Sequence, residues 1–540
     1  MKRTLFINED DSHFTSYHPR ADMTREGIER LADFYCDNTQ VAGVLFCVNY
    51  QKALYKSAVW EYLCDGYDPG GPDDQLFLRH VDLSTGGHGR HMLDNMLALD
   101  RQGLDRYQLW IDRCRRYGVE GWLTLRMNDC HGLQEYRQTI EQQTGAYHGW
   151  ALMFPSQQWK AHPEWRRATY REERSLEGAF DFGLAEVRRH HLKLVAEALE
   201  KWDLDGIELD WLRWGMHFRP GCESECRVLL TGFMEAVRAL VREAEHRLGH
   251  PVKLGVRIPA EIEVCEALGY DPLVWATEKL ADQVTLSSFG GMSLGCAPIA
   301  LWRRVLGDDV RLLAHCCGVQ APYTALGLTG LFEHDDLLRG EAAALLNRGV
   351  DGLYFFNKCY EESSRPAEFK QLLQTLGAAE TLRDQPRAHL PGHGVAAPGV
   401  PARGQLPVPL TNPSVGYDYA RLESSITLRL DTGFVPALDA GVMLYLGFSE
   451  TIELAEHSEL RINGRVLARV ADTSGAVLRN NQIERCLAPL AQAIPFLLAY
   501  RVPPEFLHPA ENVVELSGFT GAAELRWAEL GVRAIADRER

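Results

Sequence analysis

Eight short apolar runs alternate with long amphipathic segments over about the first 360 residues, and this alternation constrains the fold more than any other feature. The runs have the length of strands, and the segments between them carry apolar residues at the spacing of a helix. The predicted strands are Thr4–Asn8, Val41–Asn49, Val119–Asn128, Gly206–Leu212, Val252–Pro259, Gln283–Ser288, Val310–Cys316 and Asp351–Asn357. The predicted helices between them include Arg25–Cys36, Leu93–Tyr117, Leu184–Lys201, Leu229–Leu248 and Glu333–Asn347. Eight such units predict an α/β fold, a (β/α)8 TIM barrel, with an open doubly wound sheet as the alternative.

The pattern changes after residue 378. Residues 379–414 are rich in proline and glycine without any period, which predicts an interdomain linker with no regular element. Residues 415–540 carry runs of period two separated by turn signals, which predict an antiparallel β-sandwich as an accessory domain. We therefore expect a barrel domain over 1–378, a linker over 379–414 and a sandwich over 415–540.

Charge and cysteine content narrow the classes of partner. The chain carries 57 basic and 74 acidic residues, a formal net charge of -17, which disfavours nucleic acid or an anionic membrane as a partner. The first residues lack the apolar stretch of a secretory signal, and no apolar run approaches the length of a membrane span. The thirteen cysteines form no Cys-x-x-Cys pair. We expect a reduced, cytoplasmic protein, compatible with a homo-oligomer, that needs no metal and no cofactor.

The fourth predicted strand carries the most informative residues. Side chains alternate along a strand, so Ile207, Leu209 and Trp211 form a face suited to packing on helices. Glu208 and Asp210 then point into the barrel, where carboxylates are costly unless they are paired or functional. Their proximity is expected to raise one pKa, which suits acid/base or nucleophilic catalysis. The alternative is that both carboxylates are structural partners of inward-facing arginines.

The other strands also end in polar residues, and in a barrel the carboxyl ends of all strands meet at one mouth. These residues are Asn8 and Asp10, Asn49, Arg126 and Asn128 followed by Asp129 and His131, Arg257 followed by Glu261, Ser287, His315 and Asn357. Arg126 and Arg257 flank the fourth strand, so they either bind an anionic substrate or neutralise Glu208 and Asp210. Trp211, at a strand end, either stacks on a sugar ring or packs in the core.

These segments together resemble bacterial glycosyl hydrolase-like (β/α)8 barrel proteins, a group loosely called family-10-like. The matching segments are Asp205–Arg213, Leu125–Asp129, His162–Trp165, Gly255–Pro259, Gly269–Trp275 and Val350–Asn357, and the resemblance covers about residues 1 to 375. It implies a carbohydrate-active barrel. The fourth strand is also similar to that of chitinases, but Leu212 stands where those enzymes have their general acid, which disfavours substrate-assisted chemistry.

The resemblance and the carboxylates together lead us to expect a glycoside hydrolase acting on oligosaccharides. Asp210 is the expected nucleophile or base, and the general acid is expected to be Glu261, with Glu208 as second choice and Asp129 as third. The expected substrate-binding residues are Asn8, Asn49, Arg126, Asn128, Asp129, Trp211, Arg257, His315 and Asn357. Two alternatives stay open: a non-catalytic barrel that binds carbohydrate or acts as a scaffold, and a lyase or isomerase acting on a carboxylated sugar.

Overall fold

The computed structural model describes most of the chain. The described residues are 2–10, 12–72, 75, 88–141, 152–168, 175–288, 297–317, 334–356, 366–392, 405–410, 425–454, 456–480, 493–519 and 521–533. Within these ranges, no helix combines the length and the apolar composition that crossing a bilayer requires.

Eight parallel strands close into a barrel in chain order, each paired with the next and the last with the first. The strands are β1 (Leu5–Glu9), β2 (Val41–Cys47), β3 (Glu120–Arg126), β4 (Gly206–Asp210), β5 (Lys253–Pro259), β6 (Gln283–Ser287), β7 (Arg311–His315) and β8 (Gly352–Phe356). The predicted TIM barrel is thereby confirmed, and the open sheet is excluded because β1 pairs with β8.

Helices pack around the barrel. They are α1 (Ser12–Tyr17), α2 (Arg25–Cys36), α3 (His88–Arg101), α4 (Arg106–Arg116), α5 (Leu133–Tyr136), α6 (Gln157–Ala161), α7 (Ala185–Lys201), α8 (Glu223–Leu248), α9 (Ile262–Ala267), α10 (Pro272–Thr277), α11 (Ile299–Leu306), α12 (Asp335–Asn347), α13 (Pro366–Thr375) and α14 (Ala379–Leu382), whereas α15 (Val477–Asn480) packs in the carboxyl-terminal region. The single helix predicted over Leu93–Tyr117 is two helices. Gly103 takes a positive φ of 65°, and Asp105 caps α4 by accepting the main-chain N–H groups of Tyr107 and Gln108.

The interior of the barrel is packed in layers. At the amino-terminal end of the barrel, Glu120 accepts two hydrogen bonds of 2.8 Å from Arg311 and one of 2.5 Å from Lys253. Its carboxylate is thus paired with cations from two other strands. Above it Trp122 fills the centre. A Cβ at Gly206 would lie 2.5 Å from the Trp122 ring, so glycine at this position leaves the space that the indole occupies.

Two antiparallel sheets form the carboxyl-terminal region. The strands are β9 (Arg387–His389), β10 (Val408–Pro409), β11 (Ser425–Asp431), β12 (Gly441–Phe448), β13 (Glu459–Ile462), β14 (Arg465–Val466), β15 (Ala468–Val470), β16 (Phe496–Arg501), β17 (Glu511–Ser517) and β18 (Glu524–Arg533). One sheet has the order β10-β18-β12-β16-β15 with β9 also paired to β18, and the other has the order β11-β17-β13-β14. An apolar core that includes Leu428, Leu444 and Val514 lies between them.

The segment predicted as a featureless linker contributes to this sheet. β9 pairs antiparallel with β18, and β10 pairs with the same strand. The expectation of no regular element in 379–414 is therefore wrong at these two strands, and also at the short helix α14. Prolines on both sides and only three residues of strand hid β9 from a periodicity search, and its stability comes from burial between α12 and β18.

Helix α12 joins the barrel to the sandwich. Its Asp336 accepts hydrogen bonds from Arg339 at 2.7 Å and from Arg533 of β18 at 2.5 Å. Gly340 lies directly against β9, since a Cβ added there would be 1.9 Å from the carbonyl oxygen of Ala388. The close packing of backbone against backbone at Gly340 fixes how the two regions meet.

We expect Gly340→Ala to destabilise the protein by about 1–3 kcal/mol, because the new methyl group forces α12 away from β9. The matched control is Gly232→Ala in α8, where no atom lies within 4 Å of the added Cβ. That change is expected to stabilise the helix by roughly 0.5–1 kcal/mol. Urea unfolding curves measure both, and a Gly340→Ala midpoint equal to that of the parent protein contradicts the packing argument.

Candidate active site

Asp210, the last residue of β4, is held by N–H donors on both carboxylate oxygens. Oδ1 accepts Nε of Arg257 at 2.9 Å and the main-chain N–H groups of Leu212 and Arg213 at 3.0 Å each, and Oδ2 accepts Nη2 of Arg257 at 3.0 Å. Both side chains are buried. Arg257 also donates to Ser287 at 2.9 Å and stacks on Phe356. Of the two predicted uses of Arg257, the geometry supports neutralisation of Asp210.

Glu208 lies deeper in the barrel and receives only hydroxyl donors. Its Oε1 accepts from Thr124 at 3.0 Å and from Tyr354 at 2.7 Å, and its Oε2 accepts from Thr285 at 3.2 Å. Asn8 donates to the Tyr354 oxygen at 2.7 Å. Complete burial, together with the nearby charge of Asp210, raises the pKa of Glu208 to about 7. This carboxyl therefore keeps its proton over the weakly acidic range.

A second ionic group lies at the ends of β1 and β3. Arg126 forms ion pairs with Asp10 and, at 3.4 Å, with Asp129, and its guanidinium stacks on Tyr50. Burial by itself raises the pKa of Asp129, but His131 and Arg126 outweigh burial and lower this pKa to about 2. Arg126 therefore has two carboxylate partners within the protein.

His131 completes this group at the barrel mouth. Its Nδ1 lies 2.8 and 2.9 Å from the two Asp129 oxygens, and its Nε2 lies 3.3 Å from Nη2 of Arg213. The imidazole keeps 24% of its side-chain surface exposed, whereas the Asp129 carboxylate is fully buried. An imidazole oriented by a buried carboxylate is a common way to position a group that transfers protons.

Two predicted binding residues hold the main chain instead. Asn49 donates to the carbonyls of Tyr50 at 2.6 Å and Arg126 at 3.0 Å, and accepts the Arg126 N–H at 3.1 Å. Asn128 donates to the carbonyls of Phe180 at 2.9 Å and Met216 at 3.1 Å, and accepts the Phe180 N–H at 2.9 Å. These bonds tie loops to strand ends, so the geometry favours a structural role for both amides.

Trp211, a predicted binding residue, is buried and does not line the barrel mouth. Its indole is 0% exposed and packs against Phe182, His217 and Phe233 outside the barrel, with ring centroids 5.1 to 5.7 Å apart. The side-chain alternation that turns Glu208 and Asp210 inward turns Trp211 into the helix layer. Core packing, the alternative kept from the sequence, is what the structure shows.

The remaining predicted residues are placed as follows. Glu261 is the buried N-cap residue of α9, directly after β5, and its carbonyl accepts the N–H groups of Val264 and Cys265. His315 ends β7 and is buried, with its ring 6.4 Å from that of Phe356. Asn357 lies outside the described residues.

Four residues of the site escaped the sequence analysis as site residues: Thr124, Thr285, Tyr354 and Arg213. The first three occupy inward strand positions, but a hydroxyl residue in a strand gives no chemical signal by itself. On β8, alternation counted from the predicted site residue Asn357 turns Tyr354 outward, whereas the structure has Tyr354 and Phe356 on the inward face. Arg213 follows β4 in a turn, where alternation does not predict direction.

Comparisons with known proteins add solved structures only, since no family model and no curated protein matches the chain. One is α-L-fucosidase isoenzyme 2 from Paenibacillus thiaminolyticus, with 14% identity, TM-score 0.39 and coverage of 71% of this chain and 50% of that one. The chain thus spans about half the length of that protein. Another is the PgaB (BpsB) glycoside hydrolase domain from Bordetella bronchiseptica, with 11% identity, TM-score 0.42 and coverage of 70% and 99%. A third is the GH36 α-galactosidase AgaA from Geobacillus stearothermophilus, with 10% identity, TM-score 0.35 and coverage of 96% and 55%.

The raised pKa of Glu208 predicts a pH-dependent stability. A carboxyl with a folded pKa above its unfolded value contributes stability that is complete below about 4.5 and is lost as the pH rises through about 7. At 1.36 kcal/mol for each pKa unit, the contribution is on the order of 3 kcal/mol. Glu208→Gln keeps a hydrogen-bonding side chain but does not titrate, so this variant should lose less stability than the parent protein between pH 5 and 8.

The measurement is the difference in unfolding free energy between variant and parent at each pH. The difference is needed because the buried His191 and His217 have lowered pKa values and act in the opposite direction. Glu529→Gln in β18 is a matched control. Burial also raises the pKa of Glu529 to about 7, so this substitution should remove a similar pH dependence of stability that originates in the sandwich. A Glu208→Gln profile parallel to that of the parent protein contradicts the buried, protonated carboxyl.

Proposed function

We propose that the barrel mouth is the active site of a glycoside hydrolase that cleaves oligosaccharides. The observation that carries this proposal is the contrast between two carboxyl groups on one face of β4. Glu208 receives only hydroxyl donors and has a raised pKa, whereas Asp210 receives four N–H donors, two of them from a guanidinium. Glycoside hydrolysis requires one carboxyl that gives a proton and one that is ionised.

In this proposal Asp210 is the carboxylate that acts at the anomeric carbon, either directly or by activating water. Arg257 and the two main-chain N–H groups fix its orientation, which limits the reorganisation needed during the reaction. Glu208 supplies the proton. Glu208 and Asp210 are two residues apart along the strand, so their Cα atoms lie about 6.6 Å apart. The two carboxyl groups therefore act in one small region.

The other groups at the mouth suit a sugar ligand. Trp214 and Phe356 are partly exposed aromatic residues beside His131 and Arg257. Aromatic faces stack on the apolar sides of sugar rings, and charged groups at the rim bind hydroxyls. The same mouth therefore offers both stacking surfaces and hydrogen-bonding groups.

We expect Asp210→Asn to abolish turnover while leaving the fold intact. The assay is release from a panel of aryl glycosides and natural oligosaccharides, with circular dichroism as the folding check. The matched control is Asp205→Asn, the same change at the opposite end of β4, where Asp205 pairs with Arg115 at 3.0 Å. Asp205→Asn should keep turnover. Full activity of Asp210→Asn excludes Asp210 as the reactive carboxylate.

We expect Glu208→Gln to lower kcat by about 10²- to 10⁴-fold and to remove the limb of the pH profile near 7. Glu261→Gln is made in parallel, because Glu261 is the first choice for the acid from the sequence. The pH profile of kcat on an active glycoside is measured for both. A larger loss in Glu261→Gln, with the limb near 7 unchanged in Glu208→Gln, assigns the proton donor to Glu261 instead.

The Asp129–His131 pair favours a second candidate function, a lyase or isomerase acting on a carboxylated sugar. Such an enzyme needs a base and an anion-binding group, and His131 and Arg213 lie 3.3 Å apart. The products separate the two candidates. Hydrolysis gives saturated sugars with a new reducing end, whereas elimination gives an unsaturated sugar that absorbs ultraviolet light. A barrel that binds sugars but converts none of the panel is the non-catalytic alternative.

A further inference from the structure

Arg213 occupies a fixed place at the barrel mouth. It lies three residues beyond β4, and its main-chain N–H donates to Asp210 Oδ1 at 3.0 Å. The guanidinium lies over the Phe356 ring, 5.1 Å from its centre, on the same ring that Arg257 contacts at 3.8 Å. The carboxylate of the proposed active site therefore positions Arg213 through the main chain.

Among the described residues, three arginines meet at this mouth, and two of them are paired. Arg257 forms a two-pronged ion pair with Asp210, and Arg126 is paired with Asp10 and Asp129. Arg213, in contrast, has no carboxylate oxygen within 4.0 Å among the residues that the structure describes. Of the described carboxylates, Asp10, Asp129 and Asp210 balance its charge from a distance.

The guanidinium of Arg213 also keeps unused donors. Its Nη2 lies 3.3 Å from His131 Nε2, while its Nε is buried and finds no acceptor within the described part of the chain. Burial, reinforced by the charge of Arg126, lowers the pKa of Arg213. A buried donor without an acceptor costs free energy, and a bound ligand that supplies the acceptor recovers it.

The His131 contact indicates which groups can fill this place. A guanidinium only donates, so His131 Nε2 must accept and the imidazole proton must sit on Nδ1, toward Asp129. Within the described ranges, Nε of Arg213 is left without an acceptor. A planar ligand with two oxygens matches the fork, and a carboxylate is such a ligand.

We infer that Arg213 binds a carboxylate group of the substrate, so that the substrate class is oligosaccharides containing a uronic acid. This inference rests on the proposed function, because it assigns the substrate of the same site. It differs from the expectation drawn from the sequence, in which Arg126 or Arg257 binds an anion. Those two guanidinium groups are occupied by carboxylates of the protein.

The test compares pairs of ligands that differ only at the sixth carbon. Glucuronate is compared with glucose and galacturonate with galactose, each as the free sugar and as the methyl glycoside, and binding is measured by ligand-observed NMR and calorimetry. We expect the full-length protein to bind a uronate at least tenfold more tightly than its neutral partner. Binding of the uronate should also weaken as the salt concentration rises.

Arg213→Gln should weaken the binding of the uronate far more than that of its neutral partner, so that the preference is lost. Arg213→Lys keeps the charge without the fork and should retain part of the preference, and it serves as the second variant where Arg213→Gln does not fold. The matched control is Arg219→Gln, in the same loop, where Arg219 pairs with Asp181 at 2.8 Å. That variant should bind the uronate like the parent protein.

Three results overturn the inference: equal binding of charged and neutral sugars, no binding of any uronate, or unchanged uronate preference in Arg213→Gln and Arg213→Lys. Preference for glucose 6-sulfate over glucuronate also overturns it, since the group is then a sulfate. Failure of the proposed function looks different. A protein that binds uronates through Arg213 but cleaves none of the panel retains this inference and loses the hydrolase. A protein that cleaves neutral glycosides but does not bind uronates retains the hydrolase and loses this inference.

Discussion

Closure of the barrel is the constraint on which the rest of the structure depends. Because β1 pairs with β8, the inward side chains of all eight strands share one column inside the barrel. A charged group in that column is stable only with a partner from another strand. Glu120 is paired by Arg311 and Lys253 at one end, and Asp210 is paired by Arg257 at the other.

An apolar layer divides the column into two parts. The Trp122 indole, with Phe6, Leu45 and Leu313, forms an apolar layer between the two ionic ends. Glu208 lies in the column close to this layer, which explains why hydroxyls from β3, β6 and β8 reach it while no guanidinium contacts it directly among the described residues. The deeper of the two β4 carboxyls, Glu208, therefore lacks a direct cationic partner among the described residues, which is consistent with its raised pKa.

The sequence predicted the parts of this arrangement that depend on local pattern. All eight strands lie within two residues of their predicted ends, since each is an apolar run bounded by polar residues. Alternation also predicted that Glu208 and Asp210 face inward. It did not predict partners. Arg126 and Arg257 lie on the two strands beside β4, and the strand register places both next to Asp210. Only the individual contacts, which pair Asp210 with Arg257 and Arg126 with Asp10, show which arginine neutralises Asp210. Likewise β9 is stabilised by α12 and β18, which are distant in the chain.

Charge balance at the mouth links the carboxyl pair to the third arginine. Among the described residues there, Asp10, Asp129 and Asp210 carry three negative charges, and Arg126, Arg213 and Arg257 carry three positive charges. These six charges balance one another, and Glu208 adds no further charge while it keeps its proton, although the chain as a whole carries -17. A ligand carboxylate on Arg213 adds one negative charge to this low-dielectric region. This charge raises the pKa of carboxyl groups nearby. Binding an acidic sugar would therefore raise the pKa of Glu208 further, so that this carboxyl keeps its proton while the sugar is bound.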